Sequence, residues 1–515
     1  MNKNWKNVLN SGAPADIGLL LEGTYPFVSG GVSSWVRQII EGFPQFTFAL
    51  VFLGGARAHY GQPKYPLPPN VVHLETHYLM DSQRSGKPQR KQGDPAVFVS
   101  IKDLHETLRK THGSGINWLM SELVKNLGLP KRMDLDTFLH SEKAWNQITE
   151  SYTRYCTEPS FVNYFWTVRI MHTPIFRLAA MTDAIPPIKV LHSVSTGYAG
   201  FLGTLLKHKR GIPLILSEHG IYTKERKIDL SQADWIVDPR EAFGSSLDAD
   251  VSYIRRLWIR FFEGLGRLTY DAADPIVSLY EGNRLRQIQD GADERRTIVI
   301  PNGIDLERFT AVRDARQPGV PPVLALIGRV VPIKDIKTFI RAMRTVCNAL
   351  PQAEGWLVGP EDEDQAYAEE CRALVGNLEL QDNVKFLGFK KVADIFRQVG
   401  LLVLTSISEG LPLVILEGYA SGVPAVVTDV GSCRELIEGG RPEDKALGTA
   451  GAVVPIASPE ATAQAALSLL QDATAWHAAQ QAGIQRVETY YSQKDMFANY
   501  QDLYGNALTA AERRD

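Results

Sequence analysis

A buried strand, a short loop and a helix-length segment that runs directly into a second apolar strand leave a chain little architectural choice, and residues 401–428 have that form. Leu401–Leu404 is uniformly apolar and reads as a strand. The loop after it carries Glu409 and then Gly410, which allows close backbone approach. Pro412 suits the first turn of a helix, where a missing N–H costs nothing. The helix carries Glu417 and ends near Gly422, before a further apolar run at 424–428. One carboxylate is thus expected at a strand-to-helix turn and another just inside the helix. The free N–H groups around Gly410, Leu411 and Leu413 suit an anion. The two carboxylates would repel a bare phosphate but accept hydroxyl protons from a sugar. A ligand with phosphates in the middle and hydroxylated rings at both ends, a nucleotide-sugar, meets both demands.

The same strand–helix rhythm runs through the rest of the chain. Apolar runs at 16–21, 46–53 and 71–74 read as the first strands. Gly30 and Gly31 precede a helix whose apolar positions include Val32, Trp35, Val36, Ile39 and Ile40. That turn is either an ordinary one or a phosphate-approach loop. Residues 81–180 interrupt the rhythm: a polar, Gly- and Pro-punctuated stretch to 94, then helical segments rich in aromatics. They read as a packed helical insertion or as an acceptor or partner surface. Strands resume at 189–192 and 213–217, ending in loops that hold His192 and His219, where an open α/β sheet binds its ligands. A helix is expected over 247–273 and short strands at 275–279 and 297–300.

The Pro- and Gly-rich residues 310–321 read as an interdomain linker. They divide an N-terminal domain (1–309, with the insertion at about 81–180) from a C-terminal one (322–490), followed by a terminal helix (491–515). The second domain opens on a strand at 322–328, then Arg329 and Lys334, with Asp335 as N-cap of the next helix. Arg and Lys at this turn would hold a diphosphate, one bidentately and the other as a point charge. Further strands are expected at 356–359, 384–387 and 452–454. The fold class is α/β, with two Rossmann-like doubly wound sheets.

At 515 residues the chain has room for two or three domains, and 22% charged residues with 44% apolar ones are those of an ordinary globular protein. A net charge of −3 gives no footprint for nucleic acid. Cys156, Cys347, Cys371 and Cys433 have neither metal-ligand spacing nor a CxxC pattern, as in reduced cytosolic proteins. The polar start and the lack of a spanning apolar run predict a cytoplasmic protein. Three Asp-x-Asp triplets, Asp134/Asp136, Asp248/Asp250 and Asp362/Asp364, read as solvated surface, so no metal site is expected and cations and helix N-termini take that role.

Glu409 to Glu417 in SEGLPLVILEGYASGVP resembles the Glu-x7-Glu signature of the family 4 retaining glycosyltransferases of the GT-B fold. The Arg329-x4-Lys334 spacing after a strand and PNGID at 301–305 are similar to that family's motifs too. Where family 4 enzymes often read His-x-His, this chain reads His192-Ser193-Val194, with the second histidine missing or displaced to Ser195. LLLEGTYPFVSGGVSSWVRQ, SEHGIYTKER and SEGLPLVILEG together resemble, more narrowly, the cytosolic glycosyltransferases of bacterial Pel exopolysaccharide synthesis.

The resemblance implies two domains facing a cleft and a terminal helix that returns to the first. It implies transfer of a hexose or N-acetylhexosamine from a UDP-sugar to a carbohydrate acceptor, without a cofactor. An inner-membrane synthase and export complex is the implied partner. Arg329 and Lys334 would hold the diphosphate, with the backbone at Gly30–Gly31 and Gly410–Leu413. Glu417 would take the ribose hydroxyls and Glu409 the donor sugar, while His192 and His219 are candidate catalytic groups. Retention is commonly explained there by same-face attack, with a donor phosphate oxygen taking the acceptor proton. A phosphorylase or synthase of the same fold, and a nucleotide-sugar-binding regulatory subunit, are the alternatives.

Overall fold

The computed structural model describes residues 7–10, 13–81, 90–109, 116–127, 133–157, 160–231 and 252–513. The chain divides into two compact units. Unit 1 comprises Met1–Ser278, Arg284–Ile298 and Tyr500–Asp515, and unit 2 comprises Leu279–Asn283 and Val299–Asn499. Residues 310–321 are therefore not the boundary, and Leu306–Asp314 is a helix within unit 2. The Pro/Gly cluster marks the loop into the first strand of that unit's sheet; composition signals a turn, not where contacts cease to cross.

The sheet of unit 1 is built from β1 (Asn7–Asn10), β2 (Ala15–Glu22), β3 (Phe48–Gly54), β4 (Val71–Tyr78), β5 (Ile188–Ser193), β6 (Leu214–Glu218), β7 (Ile276–Ser278) and β8 (Thr297–Val299). Their order is β1-β4-β3-β2-β5-β6-β7-β8. Pairing is parallel from β4 through β7, and β1 closes one edge antiparallel to β4. β1, NVLN, carries no apolar run and was not predicted. Sequence order reverses between β2 and β5, so ligands are expected beyond the carboxyl ends of those two strands.

Among the described residues between β4 and β5 lie five helices, from Pro95–Arg109 to Phe161–Met181. Phe98, Met120, Leu123, Phe138, Ile148, Tyr164 and Phe176 join the core of unit 1, while Trp118, Trp145 and Trp166 stay exposed. The insertion thus fills a core and also presents an aromatic surface. The polar stretch expected before it, and the start of the helix expected from 247, lie largely outside the described residues. The described helix there is Tyr253–Ala272.

Unit 2 holds β9 (Val323–Ile327), β10 (Glu354–Val358), β11 (Val384–Gly388), β12 (Leu401–Leu404), β13 (Ala425–Thr428) and β14 (Gly451–Val454), all parallel in the order β11-β10-β9-β12-β13-β14. Both faces are covered, which is why these strands are apolar throughout rather than alternating. Leu402, Leu404, Ala425 and Val427 enter one core cluster, and Leu401, Val403 and Val426 enter the other. The order reverses between β9 and β12, which places the loops with Lys334 and Glu409 side by side.

Arg486 is fully buried in this unit. Its guanidinium pairs with Asp444 at 2.5 Å and donates to the carbonyls of Leu436, Ile437, Asp444 and Gly448. The last helix, Gln493–Glu512, belongs to unit 2 up to Asn499 and to unit 1 from Tyr500.

Candidate functional site

In unit 2 two loops are sewn together at the switch point. Thr405 Oγ1 donates to the carbonyls of Lys334 and Asp335, both at 2.9 Å, and Ile407 N donates to Ile333 O at 2.9 Å. Asp335 adopts φ 44° and its carboxylate caps the helix Ile336–Ala349 by accepting from Thr338 N, as expected from sequence.

This stitching brings Lys334 and Glu409 together. The ammonium is 2.5 Å from Glu409 Oε1, and Ser406 Oγ donates to the same oxygen at 2.6 Å. The loop after β13 backs them: Ser432 donates to Gly410 O through N and Oγ, and Gly431 has φ +56°. A Cβ on Gly431 would lie 2.2 Å from Glu409 O, so the close approach requires glycine. Arg329 takes a different partner, lying 2.5 and 2.6 Å from the two oxygens of Glu363 at an exposed position.

The helix Leu413–Ala420 starts after Pro412, no side chain caps it, and Gly422 follows with φ +72°. Glu417 stands in the second half of this short helix rather than near its start, and no hydrogen bond reaches its carboxylate among the described residues. Burial pushes its pKa up to about 7, only partly offset by the positive charge of Arg308. Leu411 is buried and Leu413 half-buried against the core, so any ligand contact they make is through the backbone.

Unit 1 places its four expected residues differently. Gly30 and Gly31 begin the helix Gly31–Gly42 without a side-chain cap, and a Cβ at either would meet open space. His192 is wholly buried. Its Nδ1 and Nε2 share hydrogen bonds with the hydroxyls of Tyr504 and Ser217, both at 2.8 Å, and Ser217 bonds Tyr500 in turn. Burial lowers the His192 pKa to about 3, so the ring is neutral. His219 packs edge-on against Trp35 with burial lowering its pKa to about 4, and it lines a cavity of about 760 Å³ at the switch point of this unit.

Of the Asp-x-Asp triplets, Asp134 and Asp364 are helix N-caps, and Asp248/Asp250 lies outside the described residues. No group of three or more acidic, histidine or cysteine side chains among the described residues could hold a metal ion.

Sequence reasoning passed over Glu218, next to His219. It accepts from Tyr270 OH, Gln287 Nε2, Thr196 Oγ1 and Tyr222 N. Burial nevertheless pushes its pKa up to about 7. Its donors come from four separate segments, and no local pattern announces them. Ser406, Gly431 and the cavity were missed for the same reason.

Residues 15–295 match a family described as a domain of unknown function, DUF3492. The chain belongs to the DUF3492 family. Beyond the DUF3492 region, residues 321–472 match the family described as glycosyl transferases group 1. Among curated proteins, the D-inositol 3-phosphate glycosyltransferase of Kineococcus radiotolerans is 31% identical over 221 residues, 39% of this chain and 50% of that protein. The enzyme of the same name from Actinosynnema mirum is 27% identical over 225 residues, 41% of this chain and 49% of that protein. The chain thus spans about half the length of the curated relatives it matches. Among solved structures, Anabaena HepE in complex with UDP superposes with TM-score 0.56 at 15% identity, covering 95% of this chain and 100% of that one. Sucrose-phosphate synthase from Thermosynechococcus elongatus gives TM-score 0.55 at 17% identity, covering 96% and 100%. The DUF3492 chain therefore has the two Rossmann-like domains of the GT-B glycosyltransferase fold.

Proposed function

We propose that this protein is a retaining glycosyltransferase that moves a hexose or N-acetylhexosamine from a UDP-sugar to a growing exopolysaccharide, as a PelF-like enzyme would. The observation that carries the reading is the Lys334–Ser406–Glu409 cluster at the switch point of unit 2, with an uncapped helix N-terminus after Pro412. Cation, N–H groups and carboxylate are the set that a diphosphate joined to a sugar requires.

In this reading Lys334 and Arg329 exchange their carboxylate partners for the diphosphate and stabilise the departing UDP. The backbone around Gly410–Leu413 shares that task. Glu409 turns to the donor sugar, and Glu417 accepts from the ribose. A donor phosphate oxygen takes the acceptor proton on the face it leaves, so no hydrolase-type carboxylate pair is needed. UDP as the nucleotide draws on Anabaena HepE, seen with UDP and with UDP-glucose. His219, half-buried beside a cavity, suits a role near the acceptor better than His192, whose ring nitrogens are both taken up by the protein.

No helix among the described residues is long and apolar enough to cross a membrane. Attachment to an inner-membrane export complex is accordingly assigned to partners. Fractionation of cells lacking exopolysaccharide membrane proteins tests that: membrane-bound protein there would contradict it. The activity itself is tested by UDP release from a panel of UDP-sugars with and without oligosaccharide acceptors. Acceptor-stimulated release with the anomeric configuration kept is expected; binding of UDP-sugar without any turnover would leave a nucleotide-sugar-binding regulator instead.

A further inference from the structure

His219 stands in a turn that a side chain closes. Glu218 is the last residue of β6, and its Oε1 accepts from Tyr222 N at 3.1 Å, the first N–H of the helix Tyr222–Ser231. The three residues between them, His219, Gly220 and Ile221, are thereby held in a closed loop. The helix gains a partner for an N–H that its own turns leave free. The same oxygen accepts from Thr196 Oγ1 at 3.2 Å, in the turn after β5. Oε2 reaches the other way, to Tyr270 OH at 2.7 Å and Gln287 Nε2 at 3.1 Å. One carboxyl therefore ties the turns after β5 and β6 to each other and to two helices behind them.

Val194, Ser195 and His219 from those turns line the cavity of unit 1, whereas Glu218, Thr196, Tyr270 and Gln287 do not. Glu218 can act on that cavity only through its neighbours. His219 depends on them. Its ring packs edge-on against Trp35 with centroids 4.5 Å apart, and its Nε2 has no hydrogen-bond partner. Its place follows that of the backbone that carries it.

A carboxyl is an unfavourable group with which to fill this space. Glu218 is 1% exposed, no cation is among its hydrogen-bond partners, and burial pushes its pKa up to about 7 despite four donors. A chain that keeps an acid here gives up stability, the pattern expected where placement matters more.

We propose that Glu218 is a positioning residue: it meets no substrate itself and fixes where His219 stands at the cavity. The placement of His219 follows from the turn alone; its consequence for turnover rests on the glycosyltransferase reading.

Two measurements on the full chain test it. The first is the pH titration of the His219 ring by NMR of histidine-labelled protein, its signal assigned by its loss in His219→Gln. In the unaltered protein burial lowers the ring's pKa to about 4, so the signal should stay still between about pH 5.5 and 8. In Glu218→Ala the turn opens, water reaches the ring, and the signal should titrate near about 6.5. The second is UDP release, with UDP-N-acetylglucosamine or UDP-glucose as donor and tetra-N-acetylchitotetraose or cellotetraose as acceptor. In Glu218→Ala kcat/KM for the acceptor should fall by more than about tenfold, while affinity for UDP itself stays unchanged.

Glu218→Gln should restore both readouts. Its carbonyl can serve Thr196 and Tyr222, and its NH2 can donate to Gln287, whose Oε1 has no partner and comes round when that amide turns. Asn70→Ala is the control for lost stability. Asn70 Nδ2 donates to the carbonyls of Ile40, Phe43 and Phe46 just before β4, at the opposite end of the sheet from the cavity. That variant should lower the melting temperature and leave both readouts as they were. An unmoved His219 signal in Glu218→Ala overturns the proposal. So does full acceptor kcat/KM in that variant, or an Asn70→Ala protein that moves either readout as far. If the unaltered protein releases no UDP, the glycosyltransferase reading falls and the titration alone decides.

Discussion

The Lys334 ammonium lies 2.5 Å from the Glu409 carboxylate, with both side chains largely buried and Ser406 holding the same carboxylate oxygen. Each charge satisfies the other while no ligand is present. A diphosphate that recruits Lys334 must break this pair, and the freed Glu409 can then accept from sugar hydroxyls. In the proposed reading the pair would therefore compete with the nucleotide and serve the sugar.

Glu409→Ala should consequently leave UDP affinity unchanged or tighten it by up to about tenfold, the worth of one charged hydrogen bond. Turnover of the UDP-sugar should fall by more than about tenfold, since the lost contact is felt at the reacting centre. Lys334→Ala should weaken UDP and turnover together. Calorimetry with UDP beside initial rates checks all three. A Glu409→Ala protein with weaker UDP binding and full turnover would return the carboxylate to a purely structural role.

Glu417 gives a pH signature of opposite sign to the common surface carboxylate. Its pKa rises from 4.5 to about 7 in the folded chain, so between those values the folded state holds a proton that the unfolded state has released. Stability from this group is lost as pH rises through that window, by up to about 3 kcal/mol above it. Glu417→Gln should raise the melting temperature at about pH 8 and change little at about pH 4. Glu417→Ala should weaken UDP by about 1–3 kcal/mol if the carboxylate takes the ribose. A melting temperature that drops at pH 8 in Glu417→Gln would rule out the buried, unpaired carboxylate.

Much of this was legible in sequence because it is local. Apart from β1, the strands of both sheets begin and end within a few residues of the apolar runs, and Asp335 caps the helix its position suggested. The strand order was not legible, and it is the order that places Lys334 beside Glu409 and Glu22 beside Ser195. Glu218 shows the limit well: a buried carboxyl is given its meaning by Thr196, Tyr222, Tyr270 and Gln287, which share no spacing. His192 shows the converse. Its place at a strand end marked it as a ligand-facing group, yet the terminal helix supplies Tyr504 and Tyr500 to cover it.

That cover is testable. Tyr504→Phe leaves His192 Nδ1 buried without its partner and should cost about 1–3 kcal/mol of stability. Turnover per folded molecule should stay unchanged if His192 only positions the helix. A fall in turnover with an altered pH profile would place the ring in the reaction.

Transfer is expected to be independent of metal ions, because in the proposed reading Arg329 and Lys334 supply the positive charge that a divalent cation would otherwise bring to the diphosphate. Arg329 is held by Glu363 at an exposed position, where screening makes the pair weak and easily exchanged for a phosphate. Activity should survive excess EDTA, and Arg329→Ala should slow turnover. Loss of activity in EDTA, restored by Mn²⁺, would remove these cations from the leaving-group role.

Gly431 offers the sharpest test of the loop that presents Glu409. Its φ of +56° lies in the left-handed region, where any side chain costs about 1 kcal/mol. The larger effect is steric: an added Cβ would sit 2.2 Å from Glu409 O and 2.6 Å from Gly410 O, and backbone atoms cannot swing away as a side chain can. Gly431→Ala should push the 409–410 segment off its place, separate Glu409 from Lys334 and lower turnover by more than about tenfold. Gly211 is the control. It ends the helix Tyr198–Arg210 at φ +71°, but a Cβ there meets nothing within 4 Å. Gly211→Ala should thus lose similar backbone stability and keep its rate. Equal rates in the two variants, measured with melting temperatures beside them, would mean that the position of Glu409 does not matter to the reaction.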